Sequence, residues 1–340
     1  MSTFRSLSFA FSIASLVTLT SCGGNQNNVQ STSTPAASPN AGTTETVSHT
    51  TGHTGKPKIN INTAILSELD KLEAKLGVPA LSNKIQSNRP YGKIEELVSK
   101  QVITQEQFDQ VKDMVTIEDI VLTGEAKDVD YMTKLGLMKG HLLVARELLE
   151  QQQPKQAEPH IGHPVEEIYV DVEDQLNERN VKEFKTNLIS LQDLVKSKPK
   201  DAKITTEFGN SMQAVDAAIQ GIPQTQRNSP EFVLKVINGL LDAAKAEYGA
   251  AIANGKVTAA IEYQDSRGFV TYANDLYKGI ADQMVKEYPD AHKAIETNMA
   301  ELTKAWPSVI PPSAPVLTPD RVSELINAIE LNTQKVTIKS

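Results

Sequence analysis

The chain has 340 residues, 39% of them apolar and 22% charged, with a formal net charge of -8. That length leaves room for more than one domain, and that balance suits a soluble globular protein. The acidity, which grows by about one unit if Arg5 leaves with a cleaved leader, argues against general affinity for nucleic acid or anionic membranes.

Met1 to Cys22 reads as a secretory leader. Arg5 supplies a basic start, and the apolar run from Phe9 to Leu19 is too short to span a bilayer comfortably. Cys22 is the only cysteine, so it has no intrachain disulfide partner. Leu19-Thr20-Ser21-Cys22 resembles the bacterial lipobox, which implies cleavage before Cys22 and a lipid on its side chain. An ordinary leader with an incidental cysteine is the alternative. Each buried acyl methylene adds about 0.8 kcal/mol, so several chains would hold the protein on a membrane. Residues 23–55 are Gly, Ser, Thr, Asn and Pro with one charge, Glu45, and no aromatic ring. Such a stretch reads as a disordered tether, its ends roughly 30 Å apart, with His49 and His53 solvated. The expected location is therefore the cell envelope: extracytoplasmic, in a periplasm or lumen, with the membrane reached through the N-terminal lipid.

Residues 56–118 read as short helices separated by tight turns. Thr63 is placed to cap a first helix carrying Leu66, Leu69 and Leu72. Gly77 and Pro79 break it, and Ser82 to Asn88 forms a second helix around Ile85. Pro90, Tyr91 and Gly92 break the chain again. Ile94 and Leu97 begin a third helix, and Phe108, Val111 and Val115 line a fourth. Two helical hairpins are what this punctuation supports.

The opening Ile59-Asn60-Ile61-Asn62-Thr63-Ala64 resembles the ComEA family of envelope DNA receptors. Pro79 to Ile85, Asn88-Arg89-Pro90-Tyr91 and Ile94-Glu95-Glu96-Leu97 resemble the PsbU family, extrinsic subunits of photosystem II. The resemblance implies a tandem helix-hairpin-helix domain that binds DNA or docks a protein. Its binding residues would be Leu76, Gly77, Val78, Lys84, Arg89 and Lys93. DNA-binding hairpins place Gly on both sides of a hydrophobic residue so that backbone can approach phosphate. Here the three positions are Leu76, Gly77 and Val78, and the second hairpin, Gln101 to Thr104, has no Gly. Between Lys56 and Glu118 nine basic residues balance nine acidic ones. Docking to a protein partner is the leading expectation, with weak ComEA-like DNA binding in DNA uptake as the alternative.

From 125 to 306 the apolar residues recur at three and four. The stripes run through Leu135 to Leu149, Val165 to Leu176, Val181 to Val195, Ile204 to Ile219, Phe232 to Ala244, Phe269 to Met284 and Ile295 to Trp306. They predict an all-α, multi-helix bundle. A Pro-rich linker covers 307–318. Thr318 then caps a final helix, 319–335, with Pro319 at its first position.

Three groups in this region could carry chemistry. His141, His160 and His163 could share a transition metal such as iron or zinc. That requires the chain after Gln153 to fold back along the helix bearing His141, whose position otherwise suits a core-edge histidine. Glu262 and Asp265, with Glu247 one helix earlier, could share a metal, but without a Glu-x-x-His pair a solvated acidic face is the expectation. The stretch Ala246-Glu247-Tyr248, Asn254 to Val257 and Glu262-Tyr263-Gln264-Asp265 through Gly268-Phe269 resembles extracytoplasmic helical regions attached to bacterial iron permeases. Metal binding by the helical domain is thus a further alternative function. No nucleophile elbow, zinc-protease motif, phosphate loop or dinucleotide fingerprint occurs, so the expectation is a non-enzymatic protein without a cofactor, a metal ion excepted.

Overall fold

The computed structural model describes residues 58–119 and 121–338. Cys22, the tether and its two histidines lie outside these residues. The described part belongs to one compact unit and is all-α apart from two short strand pairs. Within it are two hydrophobic cores, one inside residues 59–115 and a much larger one formed by the later helices.

The small module is opened and closed by a parallel pair, β1 (Ile59–Asn60) beside β2 (Val115–Thr116), with Ile59 opposite Val115. Between them run α1 (Leu66–Leu76), α2 (Leu81–Ser87), α3 (Glu96–Ser99) and α4 (Gln105–Val111). Leu69, Leu72, Leu81, Ile85, Leu97, Phe108 and Val111 are all buried against one another. Gly77 ends α1 in the left-handed conformation that glycine adopts without cost. Thr104 caps α4, its hydroxyl accepting from Gln107 N while the Gln107 side chain accepts from Thr104 N. The predicted cap at Thr63 does not form. Ile65 occupies the cap position and offers no side-chain acceptor.

The large core is built on α5 (Gly124–Glu150), which is buried on most of its circumference from Tyr131 to Leu148. The chain then turns through Gln152 (φ 58°) and folds back as two one-turn helices, α6 (Pro154–Ala157) and α7 (Pro159–His163). Each starts with proline, whose fixed φ and missing N–H suit the first helical position. Pro164 has no N–H to continue the ladder, and it opens a π-helical turn, Pro164–Ile168. Next come α8 (Tyr169–Glu178), α9 (Lys185–Ser197), α10 (Lys203–Ile219) and α11 (Gln224–Arg227).

The last third holds four long helices: α12 (Pro230–Ala251), α13 (Ala260–Glu287), α14 (Pro289–Leu302) and α15 (Pro319–Thr337). They pack in a ring, α12 on α13, α13 on α14, α14 on α15 and α15 back on α12. The hairpin of β3 (Ile252–Ala253) and β4 (Lys256–Val257) joins the first two. Ser229 and Thr318 cap α12 and α15, each succeeded by proline. The Pro-rich stretch between α14 and α15 lies on the bundle. Ser308 and Leu317 carbonyls accept from the hydroxyls of Tyr263 and Tyr248, and Val309 is fully buried.

Two contacts lock these helices together. The helices α5 and α13 touch backbone to backbone at Gly140 and Gly268, where an added Cβ on either residue would meet the other's carbonyl group within 3.1 Å. Beside that crossing Arg267 donates twice to Glu147, at 3.0 and 3.1 Å, and once to the Trp306 carbonyl, at 2.7 Å. Separately, α1 of the small module packs on α12.

Candidate metal centre

His141 sits next to Gly140 on α5, and Asp265 lies one turn before Gly268 on α13. The glycine crossing therefore brings an imidazole and a carboxylate into contact. His141 Nδ1 is 2.6 Å from Asp265 Oδ1. The fold-back through α6 and α7 brings the other two histidines to the same carboxylate. His160 Nδ1 is 2.7 Å from Oδ1, and His163 Nδ1 is 3.6 Å from Oδ2. His141, His160 and Asp265 are buried, and His163 is about one-third exposed. The Phe269 ring closes the site edge-on against His141, with centroids 5.0 Å apart.

Ligand atoms of His141, His163 and Asp265 lie within 4.8 Å of one another. Donors bound to one transition-metal ion at about 2.1 Å stand roughly 3 Å apart, so small side-chain rotations suffice for a shared ion. One further observation favours that use. Despite its closeness to Asp265, His141 Nδ1 has no correctly directed hydrogen bond, and among the described residues it is the buried side-chain polar atom so left. An orphaned buried nitrogen is costly unless something else takes its lone pair.

Burial lowers the His141 pKa, against the pull of Asp265, and so favours the neutral form that binds metal. Burial also opposes charge on His163, but Asp265, Glu167 and Glu166 outweigh it and raise that group to about 9. For Asp265 burial acts upward, and the imidazoles of His141 and His160 more than offset it, holding the carboxyl well below its ordinary value.

A second layer of acids stands behind this set. Glu247 on α12 is buried, and burial together with the neighbouring Asp70, Asp265 and Glu262 pushes its pKa well up. Asp70 comes from α1 of the small module. It is raised to about 7, first by burial, while Ser82, whose hydroxyl donates to it, acts in the opposite direction. Glu262 is also raised, chiefly by burial. The expected solvated acidic face at Glu247 and Asp265 is therefore corrected. Both carboxylates point inward, because α1 and α5 cover the faces of α12 and α13 that carry them.

The residues expected to bind a partner in the small module are spent differently. Lys84 Nζ donates to the carbonyls of Gln101 (2.6 Å) and Val102 (2.8 Å), tying α2 to the turn before α4. Arg89 donates to the carbonyls of Ile61 (2.8 Å) and Ala64 (2.5 Å). Leu76 and Val78 pack on the module's core, Gly77 is a helix cap, and Lys93 is exposed.

Residues 223–340, about a third of the chain, match the iron permease-associated 4-helix bundle domain. The match begins just before α11 and takes in the ring of α12 to α15, Glu247 and Asp265; His141 and His163 precede it. No curated protein and no solved structure matches the chain. The family finding corrects the reading of this chain as a ComEA- or PsbU-like protein, and with it the functions of protein docking by a helix-hairpin-helix domain and of DNA uptake. The internal roles of Lys84 and Arg89 are the physical counterpart of that correction. The expectation of a lipid-anchored, extracytoplasmic envelope protein gives way too, since the matched domain is one described as iron permease-associated. Among the described residues no helix is long and apolar enough to cross a membrane.

Proposed function

We propose that this chain serves iron permeation by holding an iron ion, as cargo, at His141, His163 and Asp265, with an iron permease as its partner. The observation that carries the reading is the convergence of these three side chains, two of them buried, at a point where His141 Nδ1 has no hydrogen-bond partner. Two imidazoles and a carboxylate form a mixed nitrogen and oxygen set that suits ferrous iron and leaves coordination positions open for loading and release. The similarity of residues 223–340 to a domain associated with iron permeases supports iron over other divalent metals. The role is non-enzymatic in this reading: the residues bind and shield an ion and supply no nucleophile.

The test is anaerobic titration of the full chain with Fe²⁺, then equilibrium dialysis. One equivalent should be retained by the wild type and lost in Asp265→Asn, with the helical circular dichroism of the two proteins alike. Absence of stoichiometric binding, or equal retention by a folded Asp265→Asn variant, would overturn the proposal.

A further inference from the structure

We infer that His160 is not a metal ligand but a positioning residue, carrying a hydrogen on both ring nitrogens and fixing which oxygen of Asp265 faces the ion. The inference deepens the iron-holding proposal and rests on it for the identity of the site. Its support, however, is a series of hydrogen bonds that exists without metal.

The series starts from the Val309 carbonyl, an atom that can only accept. The side-chain amide of Gln264 lies 3.2 Å from it through Nε2, and the same nitrogen is 3.0 Å from Gln156 Oε1. A carbonyl oxygen in the Nε2 position would face an acceptor without a hydrogen, so the amide orientation is determined. Gln264 Oε1 must then be the atom 2.9 Å from His160 Nε2. An amide oxygen accepts, so Nε2 carries the hydrogen. On the other side of the ring Nδ1 lies 2.7 Å from Asp265 Oδ1, a carboxylate oxygen, and must carry a hydrogen as well. Both ring nitrogens are thereby used, and the ring is fully buried. His160 thus donates from both sides of its ring, to Asp265 and to Gln264.

The consequence falls on the carboxylate. Oδ1 accepts from the His160 N–H and lies 2.6 Å from His141 Nδ1, so Oδ2, the oxygen on the His163 side, is the less engaged one and the one that faces an ion. Such orientation of a ligand by a hydrogen-bonding neighbour typically accounts for about 10- to 100-fold in metal affinity. Of the three histidines around one aspartate, two are ligands and one is a support. The support is the one whose far nitrogen is held by Gln264.

The test uses the full chain labelled with ¹⁵N-histidine, with Zn²⁺ as the probe. Without metal, long-range ¹H–¹⁵N spectra should show one imidazole, identified by its loss in His160→Gln, with both nitrogens protonated. A bare nitrogen on His160 would overturn the inference. With one equivalent of Zn²⁺, two imidazoles should acquire metal-bound nitrogens while His160 keeps both hydrogens. Three metal-bound imidazoles would overturn it as well, and this count serves even if His160→Gln does not fold. In affinity measurements His160→Gln should bind one Zn²⁺ about 10- to 100-fold more weakly, whereas a folded His141→Ala should lose the site. Failure of the wild type to bind either ion would defeat the iron-holding proposal, and the metal-free spectrum would still decide the state of His160.

Discussion

The crossing of α5 and α13 at Gly140 and Gly268 makes a prediction whose sign is opposite to the ordinary effect of the substitution. In a helix interior Gly→Ala stabilises by about 1 kcal/mol, because alanine loses less backbone freedom on folding. At Gly268 the new methyl would overlap the Gly140 carbonyl oxygen. It would also stand 2.8 Å from the Gly140 carbonyl carbon and 2.9 Å from Val144 Cγ2. Carbon atoms settle at about 3.5–4.0 Å, so the helices must part by roughly 1 Å. Overpacking costs about 1–3 kcal/mol. The upper end applies, since the obstacle is backbone that cannot change rotamer. Gly268→Ala should therefore lose about 2 kcal/mol net, which for a chain of this size lowers Tm by about 4–8 °C. Gly279, three turns further along α13, has nothing within 4 Å of its would-be Cβ. Gly279→Ala should gain about 1 kcal/mol and raise Tm by about 2–4 °C. Thermal melts of the two variants beside wild type make the comparison, with urea titration as a check on the transition's cooperativity. If both substitutions raise Tm, the close crossing is wrong, and so is the account of how His141 reaches Asp265.

Two other outcomes are expected. Asp70 is raised from an ordinary aspartate to about 7 in the folded chain, so the native state binds this proton more tightly than the unfolded one. Its contribution is therefore intact below about pH 4 and lost as pH rises to about 7. Asp70→Asn should be more stable than wild type at pH 8 and show no gain at pH 4, as urea titrations at the two pH values would reveal; a gain that is the same at both would refute the burial of this carboxyl. In the small module, Arg89→Ala removes the donors to the Ile61 and Ala64 carbonyls and should cost about 1–3 kcal/mol. Amide hydrogen exchange should register the loss in α1 and α2 first, and unchanged protection there would show that Arg89 is dispensable to the module.

The helices are largely legible in the sequence because their apolar stripes report burial on one face. The stripe from Phe269 to Met284 falls within α13, and Thr318-Pro319 marks the start of α15. The histidines can be named as a set, but their convergence depends on the reversal after Gln153. That reversal is produced by two prolines and a left-handed Gln152 rather than by any periodicity. Asp265 escapes a reading by pattern for a different reason. A Glu-x-x-Asp pair looks the same on a wet face and on a covered one, and what covers this one comes from elsewhere in the chain. The available signal is small residues beside chemical ones, Gly140 before His141 and Gly268 after Asp265, which mark a close helix crossing. The cations of the small module mislead likewise. Lys84 and Arg89 look free in sequence, and only tertiary structure brings the carbonyls of residues 17 to 28 positions away into their reach.

The division of the site between chain segments has an electrostatic logic. The bundle of residues 223–340 contributes the acids, with Asp265 and Glu247 both buried, and a buried carboxylate without a counter-charge is costly. The segment before it supplies the compensation: His163, raised to about 9 beside this carboxylate, with the ring nitrogens of His141 and His160 at its other oxygen. Nearby acids are settled in another way, Glu247 by having its pKa pushed well up and Asp70 by having its own raised to about 7. An entering cation would replace that arrangement with a stronger one, because a metal charge in a low-dielectric pocket favours every surrounding carboxylate at once. Glu247 and Asp70, whose raised pKa values mark a cost in the metal-free chain, are thus acids whose charge an ion would favour once bound. The glycine crossing matters for the same reason, since it sets the distance between the imidazole on α5 and the carboxylate on α13.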